Sequence, residues 1–234
     1  MNEPPISIAR RLEQVRSRLH AAERAAERRP DSVQLIAVSK TQPVAALMAA
    51  YRQGQRDFGE NYLQEALGKQ RQLAHLDIGW HFIGPIQSNK TRPLAEYFDW
   101  VHGVDRLKIA ERLSEQRPAH RPPLNICLQY NVSGEASKSG VDASDLPDLA
   151  VRVSKLPGLR LRGLMAIPAP GLSLEQQRAT FTRVRVALES LRDIAGLDTL
   201  SMGMSEDLEA AVLEGSTLVR IGTAIFGSRN SVNP

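Results

Sequence analysis

Lys40 is the group in this sequence whose type and placement most directly suggest chemistry. It ends the apolar run Leu35-Ile36-Ala37-Val38-Ser39 and is followed by Thr41-Gln42-Pro43, where a helix is expected to start. Apolar strand, terminal amine, then helix is how an α/β protein offers a reactive group at the mouth of a pocket. Partial desolvation lowers the pKa of such an amine and frees its lone pair to condense with a carbonyl as a Schiff base. A strand-end lysine by itself is more often a snorkelling surface group. The reading therefore depends on what the rest of the chain supplies.

Two later stretches offer an anion site. Ser201-Met202-Gly203-Met204-Ser205 joins a predicted strand end to a predicted helix start, where exposed N–H groups favour an anion. Gly203 would let the backbone pass close to a ligand. A plain helix cap by Ser205, with Glu206 and Asp207 in the first turn, is an equally weighted alternative. Arg220-Ile221-Gly222-Thr223 ends the last predicted strand and opens the next turn. Barrels of alternating strands and helices commonly hold phosphate between the loops after strands seven and eight. Ser201, Gly222 and Thr223 fit that placement, and Arg220 could point at the ligand rather than at solvent. An amine beside a phosphate site describes a phosphorylated aldehyde as the ligand.

Other groups are weaker. Asn61, in Gly59-Glu60-Asn61, reads equally as a helix cap paired with Gln64. His81 is more often a hydrogen-bonded core group than a base, and Met165 more often barrel core than a platform for an aromatic ring. The polar loop from Ser133 to Gly140, with Lys138, could serve as a lid or second anion contact. The five histidines lack metal-binding spacing, and one cysteine cannot build a zinc site. No G-x-x-x-x-G-K-[ST] loop, G-x-G-x-x-G fingerprint or G-x-S-x-G elbow is present.

The elements that must position these groups alternate. Ile8, Leu12, Val15 and Leu19 predict a helix over residues 6–29, stopped by Pro30. Strands are expected at 33–39, 56–59, 78–83, 100–102, 124–132, 159–167, 199–201 and 217–220. Pro43 suits the first turn of the helix that ends before Gly54. Asn61 and Gln64 would cap a helix through about Leu73, and Ser88 one that Pro93 interrupts. Further helices are expected at 105–116, 146–156, 174–193 and 206–213, the third behind the cap pair Ser173 and Gln176. Residues 224–226 stand in for the eighth. Eight alternations without a linker or repeat predict a (β/α)8 TIM barrel, a single domain over 1–234 with an extra N-terminal helix.

Composition excludes several classes. With 42% hydrophobic and 24% charged residues among 234, the chain reads as soluble and globular. No apolar run reaches the roughly 20 residues a membrane helix needs, and the N-terminus lacks a signal-peptide pattern. A single cysteine, Cys127, fits a reducing compartment, so the cytoplasm is expected. The formal charge is +4. Its basic stretch from Arg10 to Arg29 is interspersed with Glu13, Glu23 and Glu27 and has no aromatics, so a solvated helix face is favoured over nucleic-acid binding. No long exposed apolar face demands a partner, and a monomer is expected.

The sequence resembles the pyridoxal phosphate homeostasis protein family, single-domain relatives of the alanine racemase barrel. The resemblance covers about residues 33–229, through Ala37-Val38-Ser39-Lys40, Phe58-Gly59-Glu60-Asn61, His81-Phe82-Ile83-Gly84 and Gln87-Ser88-Asn89-Lys90. It continues in Gly163-Leu164-Met165, Ser201-Met202-Gly203-Met204-Ser205 and Arg220-Ile221-Gly222-Thr223. Ile86 replaces the leucine usual in the family. The resemblance implies pyridoxal 5′-phosphate as cofactor, with Lys40 carrying it as a Schiff base. Ser201, Gly222 and Thr223 would hold the phosphate and Arg220 would face the pyridine nitrogen. Asn61, His81 and Met165 would line the surroundings.

An arginine beside that nitrogen keeps it unprotonated, because two adjacent positive charges repel. The ring is then a poorer electron sink. The expected role is a carrier without turnover, serving apo-enzymes and having no catalytic residue. The competitor is an amino-acid racemase, which in this barrel class uses a tyrosine brought near by a second domain. The barrel is expected to consume the chain, and of the tyrosines only Tyr130 falls near the mouth. A Schiff-base aldolase acting on a sugar phosphate is the third reading, and predicts a colourless protein.

Overall fold

Short, mostly apolar runs make the strands, except β2, a poor strand by propensity that is set by the helices flanking it: β1 (Gln34–Val38), β2 (Asp57–Glu60), β3 (Gly79–Phe82), β4 (Trp100–Val104), β5 (Leu124–Gln129), β6 (Leu159–Met165), β7 (Thr199–Ser201) and β8 (Leu218–Ile221). In this computed structural model, which describes residues 7–134, 139–194 and 196–227, they pair in parallel in chain order, and β8 closes on β1. The closed ring is the (β/α)8 barrel expected from the alternation.

The helices are α1 (Ile8–Ala25), α2 (Val44–Arg52), α3 (Leu63–Gln72), α4 (Thr91–Tyr97), α5 (Leu107–Glu115), α6 (Leu146–Val153), α7 (Leu174–Glu189), α8 (Leu208–Leu213) and α9 (Thr223–Phe226). The extra N-terminal helix stops at Ala25, short of Pro30. Glu27 takes a left-handed φ of 54° and Arg28 N–H bonds back to the Glu23 carbonyl, closing the end as a Schellman motif. The buried Glu23 carboxylate then accepts from Val33 N–H at 2.8 Å and from Asp31 N–H at 3.1 Å, which directs the chain into β1.

Three local expectations change. Asn61 does not cap α3, whose N-cap is Tyr62 with no side-chain hydrogen bond. Ser88 opens a 3-10 turn before α4 rather than capping it, and its carbonyl accepts from Thr91 Oγ1. Helix α8 starts at Leu208 because Asp207 folds back to accept Met204 N–H at 2.5 Å. The Ser173–Gln176 capping box of α7 forms as expected.

Between strands and helices lies an apolar layer that includes Leu47, Phe58, Phe98 and Phe181, all fully buried. The barrel's own interior is different. Side chains alternate faces along a strand, so Ile36, Val38 and Lys40 share one face. A Cβ added to Gly59 would meet Ile36, Val38 and Ile83 side chains at 3.0 to 3.4 Å, which identifies that face as the inside. The register Ile36↔Arg220 and Gly59↔His81 puts Arg220 and His81 there too. Such interiors are usually filled by bulky branched residues; this one holds a buried arginine and two buried histidines.

Candidate functional site

Lys40 follows β1 on the inward face and is half-buried. The backbone on both sides of it is fixed from beneath. Lys69, on α3 and itself buried, donates to the Ser39 carbonyl at 2.6 Å, to Glu60 Oε1 at 2.7 Å and to Glu65 Oε1 at 2.5 Å. The Ser39 hydroxyl donates to the same Glu60 oxygen at 2.6 Å. Thr41 holds a left-handed φ of 64°, and its N–H donates to Glu65 Oε1 at 2.6 Å. Burial pushes the Glu60 carboxyl up, against the pull of Lys69 and Ser39.

The loop after β8 lies directly against the lysine's strand. A Cβ on Gly222 would stand 3.3 Å from the Val38 carbonyl oxygen and 3.4 Å from Val38 Cβ. Thr223 begins the single turn of α9 and is exposed. Ala224 N–H reaches Ser205 Oγ at 3.4 Å, so the loops after β7 and β8 meet through Ser205 rather than Ser201. Helix α1 braces this junction: Arg18 donates to the Ser205 carbonyl at 3.1 Å and forms two bonds to Glu209 at 2.8 and 2.9 Å. Gly203 has a φ of 98° and passes so close to α8 that a Cβ would lie 2.6 Å from Ala211 Cβ.

Ser201, expected at the phosphate, is fully buried one layer lower. Its hydroxyl lies 2.7 Å from Arg220 Nη1 and 2.8 Å from His102 Nδ1. Arg220 Nη1 also donates to the Ser201 carbonyl, and Nη2 donates to the Ala166 carbonyl at 2.9 Å. Burial lowers the Arg220 guanidinium to about 10, with Asp207 and Cys127 opposing the shift. It is still protonated at neutral pH. Met165 pairs in register with Ser201 and is buried beside it.

His81 takes the hydrogen-bonded core role. Its Nδ1 lies 3.1 Å from His102 Nε2, its Nε2 lies 3.1 Å from Asp57 Oδ1, and its ring stacks on Trp100. Asn61 is at the rim, where a cavity of about 320 Å³ runs from the ends of β2 and β3 to those of β5 and β6. Asn61, Ile83, Pro85, Gln129, Tyr130 and Ile167 line it. Asn61 Oδ1 is buried and finds no hydrogen-bond partner among the described residues.

The barrel order β8-β1-β2 thus sets Gly222 and Thr223, Lys40 and Asn61 side by side along the mouth, with Arg220, Ser201 and Met165 below. Among the described residues, His81 is hydrogen-bonded to that set through His102. Sequence reasoning missed His102 and Lys69, and offered Ser205 as a hydroxyl beside Ser201 or as a helix cap. His102 had a signal, being two residues past Trp100 on a predicted strand and so on the same face. Lys138 lies outside the described residues. No group of three or more potential metal ligands clusters among the described residues, and burial pushes the Cys127 thiol up to about 12, leaving it unreactive. No described helix is long and apolar enough to cross a membrane.

A family profile described as alanine racemase, N-terminal domain, matches residues 11–230. The chain is 64% identical over 224 residues to a Pseudomonas aeruginosa protein named pyridoxal phosphate homeostasis protein, covering 96% of each. A protein of the same name from Escherichia coli K12 is 52% identical over 227 residues, with 95% of this chain and 97% of the relative covered. Among solved structures, PipY of Synechococcus elongatus PCC7942 with PLP bound superposes with a TM-score of 0.83 at 42% identity. That match covers 94% of this chain and all of PipY.

Proposed function

The chain belongs to the pyridoxal phosphate homeostasis protein family, and on that premise we propose that it holds pyridoxal 5′-phosphate reversibly as a Schiff base on Lys40. In this reading it serves vitamin B6 homeostasis inside the cell as a carrier without turnover of its own. The bound cofactor would supply an aldehyde carbon that a lysine amine can capture and release.

The residues present suit that group. The observation that carries the reading is the close approach of Gly222 to Val38, two residues before Lys40, which brings the loop that would bind the phosphate to the strand of the amine. Gly222 and Thr223 would take the phosphate through the first turn of α9, with Ser205 bridging from the neighbouring loop. Ser201, given its buried position, would support Arg220 instead of meeting the phosphate. Arg220 would keep its own proton and leave the ring nitrogen without one. Asn61, whose Oδ1 is buried and finds no partner among the described residues, would face the ligand with its side-chain amide. Met165 would pack against the ring, and His81 would act from the layer below.

A carrier must give its cargo up. Loaded protein mixed with an apo-aminotransferase should restore that enzyme's activity, with the recovered activity matching the cofactor released. The same protein should not racemise alanine. Racemisation at enzyme-like rates that depends on Tyr130, the tyrosine at the mouth, would replace the carrier reading with an enzyme.

A further inference from the structure

Of the hydrogen-bonded chain Asp57, His81, His102, Ser201 and Arg220, buried except at half-buried Asp57, only Arg220 is proposed to touch the ligand, yet the chain crosses the barrel and its ends fix its direction. A guanidinium can only donate, and an ionised carboxylate can only accept. Arg220 Nη1 donates to Ser201 Oγ at 2.7 Å. The Ser201 hydrogen then goes to His102 Nδ1 at 2.8 Å. His102 Nε2–H in turn donates to His81 Nδ1 at 3.1 Å, and His81 Nε2–H to Asp57 Oδ1 at 3.1 Å. Each link is used once, and both imidazoles are neutral with the proton on Nε2. Turning the chain round needs one more proton, on Asp57 or His81, and leaves the Ser201 hydrogen without an acceptor. Burial, with the Arg220 charge nearby, holds His102 well below the usual histidine range, and the bond from His81 helps keep Asp57 ionised. The other titratable groups coupled to these residues are Cys127 and Asp207 beside Arg220, with Arg162 over Trp100.

We infer that His102 is a positioning residue for the cofactor site: by accepting the Ser201 proton it turns the Ser201 lone pair toward Arg220 and so fixes the guanidinium at the floor of the site. The inference rests on the proposed binding of pyridoxal phosphate above Arg220. Its first test does not.

In protein free of cofactor, nitrogen-15 NMR should find His102 neutral between about pH 6 and 8, where a free histidine titrates, with Nε2 rather than Nδ1 carrying the proton of each ring. A proton on Nδ1 of either ring, or ordinary titration of His102, would overturn the inference. The second test compares two variants. In His102→Gln the amide can still accept from Ser201 and donate to His81, whereas His102→Leu can do neither. The leucine variant should retain pyridoxal phosphate roughly tenfold less well, as for one lost hydrogen bond between neutral groups, and should shift the pH profile of the bound cofactor's absorbance. The glutamine variant should restore both. Equal behaviour of the two variants in affinity and pH profile would overturn the inference. Should the leucine variant not fold, the glutamine variant and the wild-type NMR decide alone. If wild-type protein binds no cofactor, the proposed function fails while the proton positions remain measurable.

Discussion

Lys69 Nζ lies 2.6 Å from the carbonyl oxygen of Ser39, the residue before Lys40, and 2.5 Å from the Glu65 oxygen that also takes the N–H of Thr41, the residue after it. One buried ammonium, neutralised by Glu60 and Glu65, thereby fixes the chain on both sides of the amine. Removing one partner of a buried ion pair leaves the other uncompensated and costs about 3–5 kcal/mol. Lys69→Met should therefore lower unfolding free energy by about that much in urea titrations, and adding Glu60→Gln should recover most of the loss. Strictly additive losses in the double variant would count against the clamp.

His102 gives stability a pH dependence. His102 is held well below 6.5 in the folded protein, so as pH falls through 6.5 the unfolded chain binds a proton that the folded chain refuses. Stability contributed by neutral His102 is thus present above that pH and declines below it, by up to about 1.4 kcal/mol per pH unit for one group. Glu60, shifted upward, acts in the opposite sense above its usual 4.5. The clean measurement is the difference between wild type and His102→Gln. The variant should show a shallower decline, equivalent to one proton fewer bound on unfolding.

Gly203 has both a left-handed φ of 98° and a would-be Cβ only 2.6 Å from Ala211 Cβ. Gly203→Ala must strain the backbone or push α8 away, at a cost of about 1–3 kcal/mol for the conformation alone. Thermal unfolding should show the loss, and a neutral result would mean that the loop after β7 adjusts freely.

Arg18 links α1 to the Ser205 carbonyl and to Glu209 across a partly exposed surface. Arg18→Ala should cost no more than about 1 kcal/mol of stability, while speeding release of pyridoxal phosphate several-fold by loosening the loop next to α9. Stopped-flow transfer to an apo-enzyme would measure it. An unchanged release rate would detach α1 from the function of the site.

Most of the barrel was legible because its strands are short apolar runs separated by helices with clear apolar spacing, a pattern that depends on local sequence, whereas β2 (Asp57–Glu60) was placed only by the helices flanking it. Lys40, Gly222 and Thr223 were legible for the same reason, each lying at a strand end. The interior was not. Ser201 sits beside Gly203 in the sequence, which suggested a ligand contact, but the inward face of β7 hands its hydroxyl to Arg220, 19 residues on. Lys69 forms an ordinary surface-like pair with Glu65 by spacing, and only the packing of α3 under Ser39 makes it buried. Asn61 matched a cap pattern, yet it lies two residues beyond Gly59 on the inward face and so turns toward the mouth. In each case a contact distant in sequence overrode a local pattern.

The central claim is a covalent one and can be tested by trapping it. Protein loaded with pyridoxal phosphate should be yellow, should bleach with borohydride, and should then carry a single phosphopyridoxyl group on the peptide containing Lys40 in mass spectrometry. Lys40→Ala should take up neither colour nor label. A label on another lysine, or a Lys40→Ala protein that keeps its colour, would contradict the account.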